Sequence, residues 1–188
     1  THAFDVRDAA ACVAFAALGP QRFGRLDGAL CVAGVNGHGT ILTLTLEEWH
    51  RVLDINLTGT FQCVQAAARE MIACGARGSI VTYSSGIGLH CPPWGTEYST
   101  SKLGMLALTK SSAAELGPHG IRVNALAPGV IRTSMPRAGS FDRVAAAAPL
   151  RRVGETSDLT GPACFLLSSD SSYVTGHTLH VNGALFTA

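Results

Sequence analysis

Short apolar runs recur along this chain, separated by longer stretches whose apolar residues fall at helical spacing. The runs are residues 26–33, 78–83, 121–127 and 178–181. The first is nearly continuous (Leu-Asp-Gly-Ala-Leu-Cys-Val-Ala) rather than alternating, the pattern of a strand covered on both faces. Residues 9–18 read as a helix capped by Asp8 and stopped at Gly19-Pro20. Thr45 caps a second helix, with Glu47 and Glu48 in its first turn, where the helix dipole favours negative charge. That helix is expected to break near Asn56-Leu57-Thr58-Gly59 and to resume over 61–73. A long helix is predicted over 96–116, closed by Gly117-Pro118. Residues 86–93 read as loop, 130–155 as irregular with one short helix, and 158–168 as a last helix. Such strand–helix repetition predicts an α/β fold, one domain built on a doubly wound parallel sheet. Ligands of these sheets lie at the carboxyl ends of the strands. The candidate site is therefore at Gly34, Ser84-Ser85 and Pro128-Gly129.

Composition narrows the function classes. Only 14% of the 188 residues are charged, and the formal net charge is +1. This balance gives no electrostatic handle for nucleic acid or an anionic membrane surface. No apolar run has transmembrane length, and residues 1–30 lack the basic-then-apolar pattern of a secretory signal. The six cysteines include no C-x-x-C pair, and no His cluster has zinc spacing, so neither a disulfide framework nor a metal site is expected. Cys31 and Cys164 lie in apolar runs and read as small buried hydrophobes. Reduced thiols in a cytoplasmic protein are the expectation.

Chemistry concentrates on the long helix. Tyr98 and Lys102 are four residues apart and share one helix face. A free phenol has a pKa of about 10, and a neighbouring ammonium favours the phenolate. A phenol brought to about 7 would act as a general acid/base at neutral pH. An ordinary surface pair has the same spacing, so Tyr98 and Lys102 alone do not decide the matter. Ser85 adds a hydroxyl at the end of a strand, thirteen residues before Tyr98.

Taken in order, these residues resemble the short-chain dehydrogenase/reductase family, compact members such as 3-oxoacyl-carrier-protein reductases included. Asp5-Val6 is similar to the family's adenine-contacting pair, and Leu30-Cys31-Val32-Ala33-Gly34 stands where relatives have Asn-Asn-Ala-Gly. Asn56-Leu57-Thr58-Gly59 matches Asn-x-x-Gly, and Tyr98-Ser99-Thr100-Ser101-Lys102 matches Tyr-x-x-Ser-Lys. Ile121-Arg122-Val123-Asn124 with Pro128-Gly129 resembles the nicotinamide-side strand and turn, and the stretch from Thr175 to Gly183 the closing strand. The resemblance implies a Rossmann-like fold and hydride transfer between NAD or NADP and a small carbonyl or alcohol. Asn56, Ser85, Tyr98 and Lys102 would be the catalytic residues. Tyr98 would move the substrate proton, Ser85 would hydrogen-bond the reacting oxygen, Lys102 would hold the nicotinamide ribose, and Asn56 would hold a proton-relaying water. Cofactor contacts would come from Asp5, Val6, Ala33, Gly34, Tyr98, Lys102, Pro128, Gly129, Ile131 and Thr133. For Asn56 a plain helix-breaking role stays open, and for Thr133 a hydroxyl bonded to its own loop. The helical stripes Phe61, Val64, Ala68, Met71 and Met105, Leu106, Leu108 read first as core; the resemblance adds a homo-oligomer, a dimer or tetramer.

Departures from the family pattern matter too. Cys31-Val32 replaces both asparagines, so the backbone groups those amides would serve need other partners. No Gly-x-x-x-Gly-x-Gly turn joins a strand to a helix; Gly34-Val35-Asn36-Gly37-His38-Gly39 leads into a loop. Residues 1–188 are thus expected to be a partial NAD(P)-binding domain, its catalytic half, lacking the first βαβ segment, about 50–60 residues at ~25–30 per βα unit. The run 26–33 should then present one bare apolar edge. A non-catalytic module using the same fold for binding or oligomerisation is the alternative.

Overall fold

The computed structural model of the chain describes residues 1–136 and 139–186, the side chains of Ile87 and Leu89 excepted. Helices α1 (Ala9–Phe23), α2 (Leu46–Leu53), α3 (Gly59–Ala73), α4 (Gly86–His90), α5 (Thr96–Leu116), α6 (Phe141–Ala147) and α7 (Ser157–Leu167) surround strands β1 (Gly28–Cys31), β2 (Ser79–Tyr83), β3 (Arg122–Pro128) and β4 (Thr178–Val181). The strands form one sheet in the order β1-β2-β3-β4, every neighbour parallel.

Burial on the sheet follows the period of two expected of strands. Ile80 and Val123 face one layer, with Val64, Ala67, Ala68 and Met71 of α3 and Ala113 and Leu116 of α5. Val81 and Leu126 face the other, against Ala163 and Leu166 of α7. Ile80, Val81, Val123 and Leu126 are fully buried, each contributing about 1.5–3 kcal/mol. Two-face burial thus holds for β2 and β3. On the outer strand β1 only Cys31 is buried, while Leu30 is 46% exposed and Val32, just past the strand, 54%. Of the stripes read as core, Val64, Ala68, Met71 and Met105 are buried, whereas Phe61 is exposed.

Several local expectations are corrected. Helix α1 passes through Gly19-Pro20 and ends at Gly24 in the left-handed conformation, its N–H bonded to Pro20 O. The proline removes one donor, but Gly19 sits against Leu26 and the turn carries on. Helix α4 occupies part of the stretch read as loop: Gly88 lies where a Cβ would stand 2.7 Å from Lys102 Cβ. Strand β1 is four residues, shorter than the run that suggested it. Cys31 is buried as expected, but Cys164 is exposed on α7. Cys12 and Cys63 face each other across α1 and α3 with sulfurs 3.8 Å apart, and burial pushes the Cys63 thiol up to about 12.

The motif Arg122-Val123-Asn124 is structural before it is anything else. The fully buried Asn124 donates from Nδ2 to Val174 O at 2.8 Å and accepts from His177 N at 3.0 Å. Arg122 donates to Leu166 O, Ser168 O and the Ser171 hydroxyl. Together they anchor the segment that leads into β4. Replacing Asn124 by Ala takes the partner from the His177 N–H and leaves Val174 O only Arg122 at 3.5 Å, at roughly 1 kcal/mol for each bond lost. The urea midpoint of N124A is expected to fall with an unchanged slope, and a midpoint equal to the wild type would contradict this role.

Candidate active site

The carboxyl ends of β1, β2 and β3 open on one side, where the N-terminal half of α5 crosses them. Two bonds set this approach. Ser84, just past β2, donates from its hydroxyl to Lys102 O at 2.8 Å, and its N–H donates to Leu126 O at 2.8 Å. Ser84 is thus spent on the backbone of α5 and β3, and Ser85 is the next hydroxyl, also buried.

Tyr98 and Lys102 project from α5 toward the same place. The Tyr98 hydroxyl is hydrogen-bonded to the Ser85 side chain. Lys102 Nζ lies 5.7 Å from the Tyr98 ring centroid and donates to Tyr83 O at 2.8 Å. Lys102 is only 6% exposed, and its burial lowers its pKa to about 8. The expected depression of Tyr98 is not found. Burial raises the phenol above its ordinary value, and the bond to Ser85 only partly opposes this. The reason is geometric: the ammonium is turned to the Tyr83 carbonyl, and both groups lie out of water.

Asn56 sits in a single π-helical turn, Asp54–Thr58, between α2 and α3, where the helix was expected to break. It is fully buried. Its carboxamide closes a ring with Val35, accepting from Val35 N at 2.7 Å and donating to Val35 O at 3.0 Å. Nδ2 also donates to the Ser101 hydroxyl at 3.1 Å, which in turn donates to Tyr98 O at 2.7 Å. Its own carbonyl accepts from the Thr60 hydroxyl at 2.8 Å. Asn56 thus ties the loop after β1 to the helix bearing Tyr98. Ser101, a member of the Tyr-x-x-Ser-Lys signature, was given no separate role in the sequence reading.

The residues read as cofactor contacts spread along the same edge. A Cβ on Gly34 would stand 3.3 Å from Asn56 Oδ1 and 3.6 Å from Lys102 Nζ, so the glycine keeps the chain close to both groups. Ala33 is exposed next to it. Gly129 is bonded to Val181 O at 3.0 Å and backs onto Asn182, where a Cβ would come within 2.9 Å. Pro128 ends β3, and Ile131 bridges to Gly154. Thr133 is exposed, and its hydroxyl accepts from Met135 N at 3.3 Å, the local loop bond that stayed open. Val6 packs on Gly59, whose Cβ would lie 2.6 Å from Val6 Cγ2. The exposed Asp5 carboxylate is clasped by Arg7, with Nη2 to Oδ2 at 2.6 Å, and this holds its pKa at about 2. Around the opening, His38 leans on Trp94 with centroids 6.1 Å apart, His90 on Phe186 at 4.8 Å, and Asn36 donates to Met135 O at 2.8 Å.

A glycine held open beside a buried ammonium, with two bonded hydroxyls near it, is a donor set for an anionic or polyhydroxylated group and a reacting oxygen. These residues fit the ribose and nicotinamide end of a dinucleotide. Among the described residues no helix is long and apolar enough to cross a membrane.

A family model described as enoyl-(acyl carrier protein) reductase matches residues 1–185. Mouse (3R)-3-hydroxyacyl-CoA dehydrogenase is 41% identical over 157 residues, which are 82% of this chain and 61% of that protein. A 3-oxoacyl-[acyl-carrier-protein] reductase of Staphylococcus aureus is 37% identical over 169 residues, 88% of this chain and 68% of that one. The chain thus spans about three fifths of the length of the mammalian relatives. Among solved structures, a short-chain type dehydrogenase/reductase from Mycobacterium marinum superposes with a TM-score of 0.91 at 36% identity, covering 98% of this chain and 74% of that chain.

Proposed function

This chain belongs to the short-chain dehydrogenase/reductase family, and from that premise we propose that its protein reduces the carbonyl of a 3-oxoacyl thioester, or oxidises the matching hydroxyl. The observation that carries the reading is the Tyr98–Ser85 hydroxyl pair beside the buried Lys102 ammonium. A bound NAD(P)H would supply the hydride, and its oxidised form would accept one. Gly34, Lys102, Pro128 and Gly129 would hold the nicotinamide-ribose end, with Asp5, Val6, Ala33, Ile131 and Thr133 further along the same edge. Ser85 hydrogen-bonds the substrate oxygen, and Tyr98 gives that oxygen its proton, which balances the hydride gained at carbon.

Burial keeps the Tyr98 phenol protonated well above neutral pH, and a protonated phenol is the donor that reduction needs. The thioester class comes from the relatives, a (3R)-3-hydroxyacyl-CoA dehydrogenase and a 3-oxoacyl-[acyl-carrier-protein] reductase. The rival reading is a binding or oligomerisation module on the same fold. A burial that depresses Lys102 to about 8 opposes folding, a cost for which such a module has no use. The family-typical homo-oligomer is retained as part of the proposal.

The test is a coenzyme-oxidation assay on the intact protein, with NADH and NADPH each offered against 3-oxoacyl thioesters. Turnover with one coenzyme is expected. No oxidation with either, for thioesters or simple ketones, removes the enzymatic reading.

A further inference from the structure

We propose that Glu97, the residue before Tyr98, is a positioning residue that locks the loop after β1 onto the first turn of α5 and so fixes where Tyr98 stands. The inference rests on the reaction proposed above. Glu97 is fully buried. Its Oε1 accepts from Gly39 N at 3.0 Å, while Gly39 O accepts from Gly95 N at 2.8 Å and Thr96 N at 3.3 Å. Loop and helix end are therefore closed in both directions through one residue. The arrangement replaces a side-chain cap, because Gly95, at φ +66, has none to offer the helix.

The surroundings are shaped to this carboxyl group. A Cβ on Gly37 would collide with it, and one on Gly39 would stand 3.2 Å from Oε2 and 2.5 Å from Leu44 Cδ1. A Cβ on Gly95 would come within 3.0 Å of Gly37 O. Gly37 and Gly39 thus leave room for one acidic side chain, and Gly95 for the loop that carries them. Oε2 is buried with no hydrogen-bond partner among the described residues, a cost that surface exposure would remove. Farther back along the loop, Arg51 donates to Asn36 O at 2.9 Å and is paired with Glu48; its guanidinium also feels the Glu97 charge. Asn56 holds Val35. The loop is thus tied at Val35, Asn36 and Gly39, and the last tie comes from the residue adjoining Tyr98. Misplacing Tyr98 by about 1 Å is enough to slow proton transfer on the order of 100-fold.

The test compares wild type, E97Q, E97A, G37A and the E97A/G37A double variant in the intact protein. It reads kcat, KM, the dissociation constant of the reduced coenzyme, and amide exchange at Gly39. E97A is expected to lower kcat between about 10- and 100-fold with the coenzyme dissociation constant unchanged, and to lose protection at Gly39. G37A should behave like E97A, because its methyl displaces the carboxyl group. E97Q keeps an acceptor for the Gly39 N–H and should restore kcat to within about threefold of wild type, with protection retained. In the double variant the space left by Glu97 takes the methyl, so its kcat should be no lower than that of the worse single variant. Unchanged kcat in E97A, losses that multiply in the double variant, or an E97Q as slow as E97A would each overturn the role of Glu97. A wild type that oxidises neither coenzyme would instead overturn the reaction reading, and Glu97 as its positioning residue along with it.

Discussion

Tyr98→Phe is expected to lower kcat by about 10³-fold while coenzyme affinity stays within about twofold, since general acid–base catalysis typically contributes 10²–10⁴. Phenylalanine keeps the ring that stands 5.7 Å from Lys102 Nζ and removes only the oxygen. That oxygen is the one bonded to Ser85 and, in the proposed reaction, the one that transfers the substrate proton. Folding should change little: one hydrogen bond is lost, worth about 1 kcal/mol, and one buried hydroxyl no longer needs desolvation. Ser85→Ala should cost less than Y98F, because the proton donor remains. The check is steady-state kinetics with titration of the reduced coenzyme by fluorescence. Equal turnover by Y98F and wild type would end the catalytic assignment, whatever the fold.

The contrast between what could be read early and what could not has physical causes. Helix α5 was legible to both ends because its limits are chemical: a glycine before Thr96 and Gly117-Pro118 after Leu116. The break at Asn56 was legible as a departure from helical propensity, and it is a π turn that opens the ladder where the carboxamide must reach Val35. By contrast α4 has the composition of a loop, and its glycines answer to close neighbours: a Cβ at Gly88 would strike Lys102 of α5, and one at Gly86 would strike Phe186. Local propensity cannot show a helix imposed by such an approach. Glu97 left no signal for a similar reason: apolar periodicity treats a charged position as solvent-facing, whereas this one is buried against Gly37 and Gly39, distant in sequence. The spacing of Tyr98 and Lys102 showed that they share a face. It did not show that burial would raise one pKa and lower the other, which depends on neighbours from β2 and the loop after β1.

Lys102→Met is expected to move stability and activity in opposite directions. In the folded chain the ammonium loses its proton at about 8, against an ordinary 10.5 in the unfolded chain. The unfolded state therefore binds more protons between these values, and the free energy of unfolding rises with pH across that window. Below about pH 8 the fold carries the full cost of the buried charge, on the order of 3 kcal/mol, as expected for a side chain 6% exposed. Methionine follows the same stem without the charge. Its loss of the bond to Tyr83 O returns about 1 kcal/mol of the gain. In the absence of coenzyme, K102M should unfold at higher urea than wild type at pH 7, with the advantage shrinking as pH rises from about 8 to 10.5. Its turnover should nevertheless fall about 100-fold or more, because in the proposed reaction the coenzyme's ribose would lose the ammonium that holds it. A K102M protein less stable than wild type at pH 7, or one with an unchanged pH dependence of unfolding, would show that the ammonium is not the strained element of this site. The two opposed readouts also separate the enzyme from the binding module: only an enzyme has reason to keep a lysine whose removal stabilises the fold.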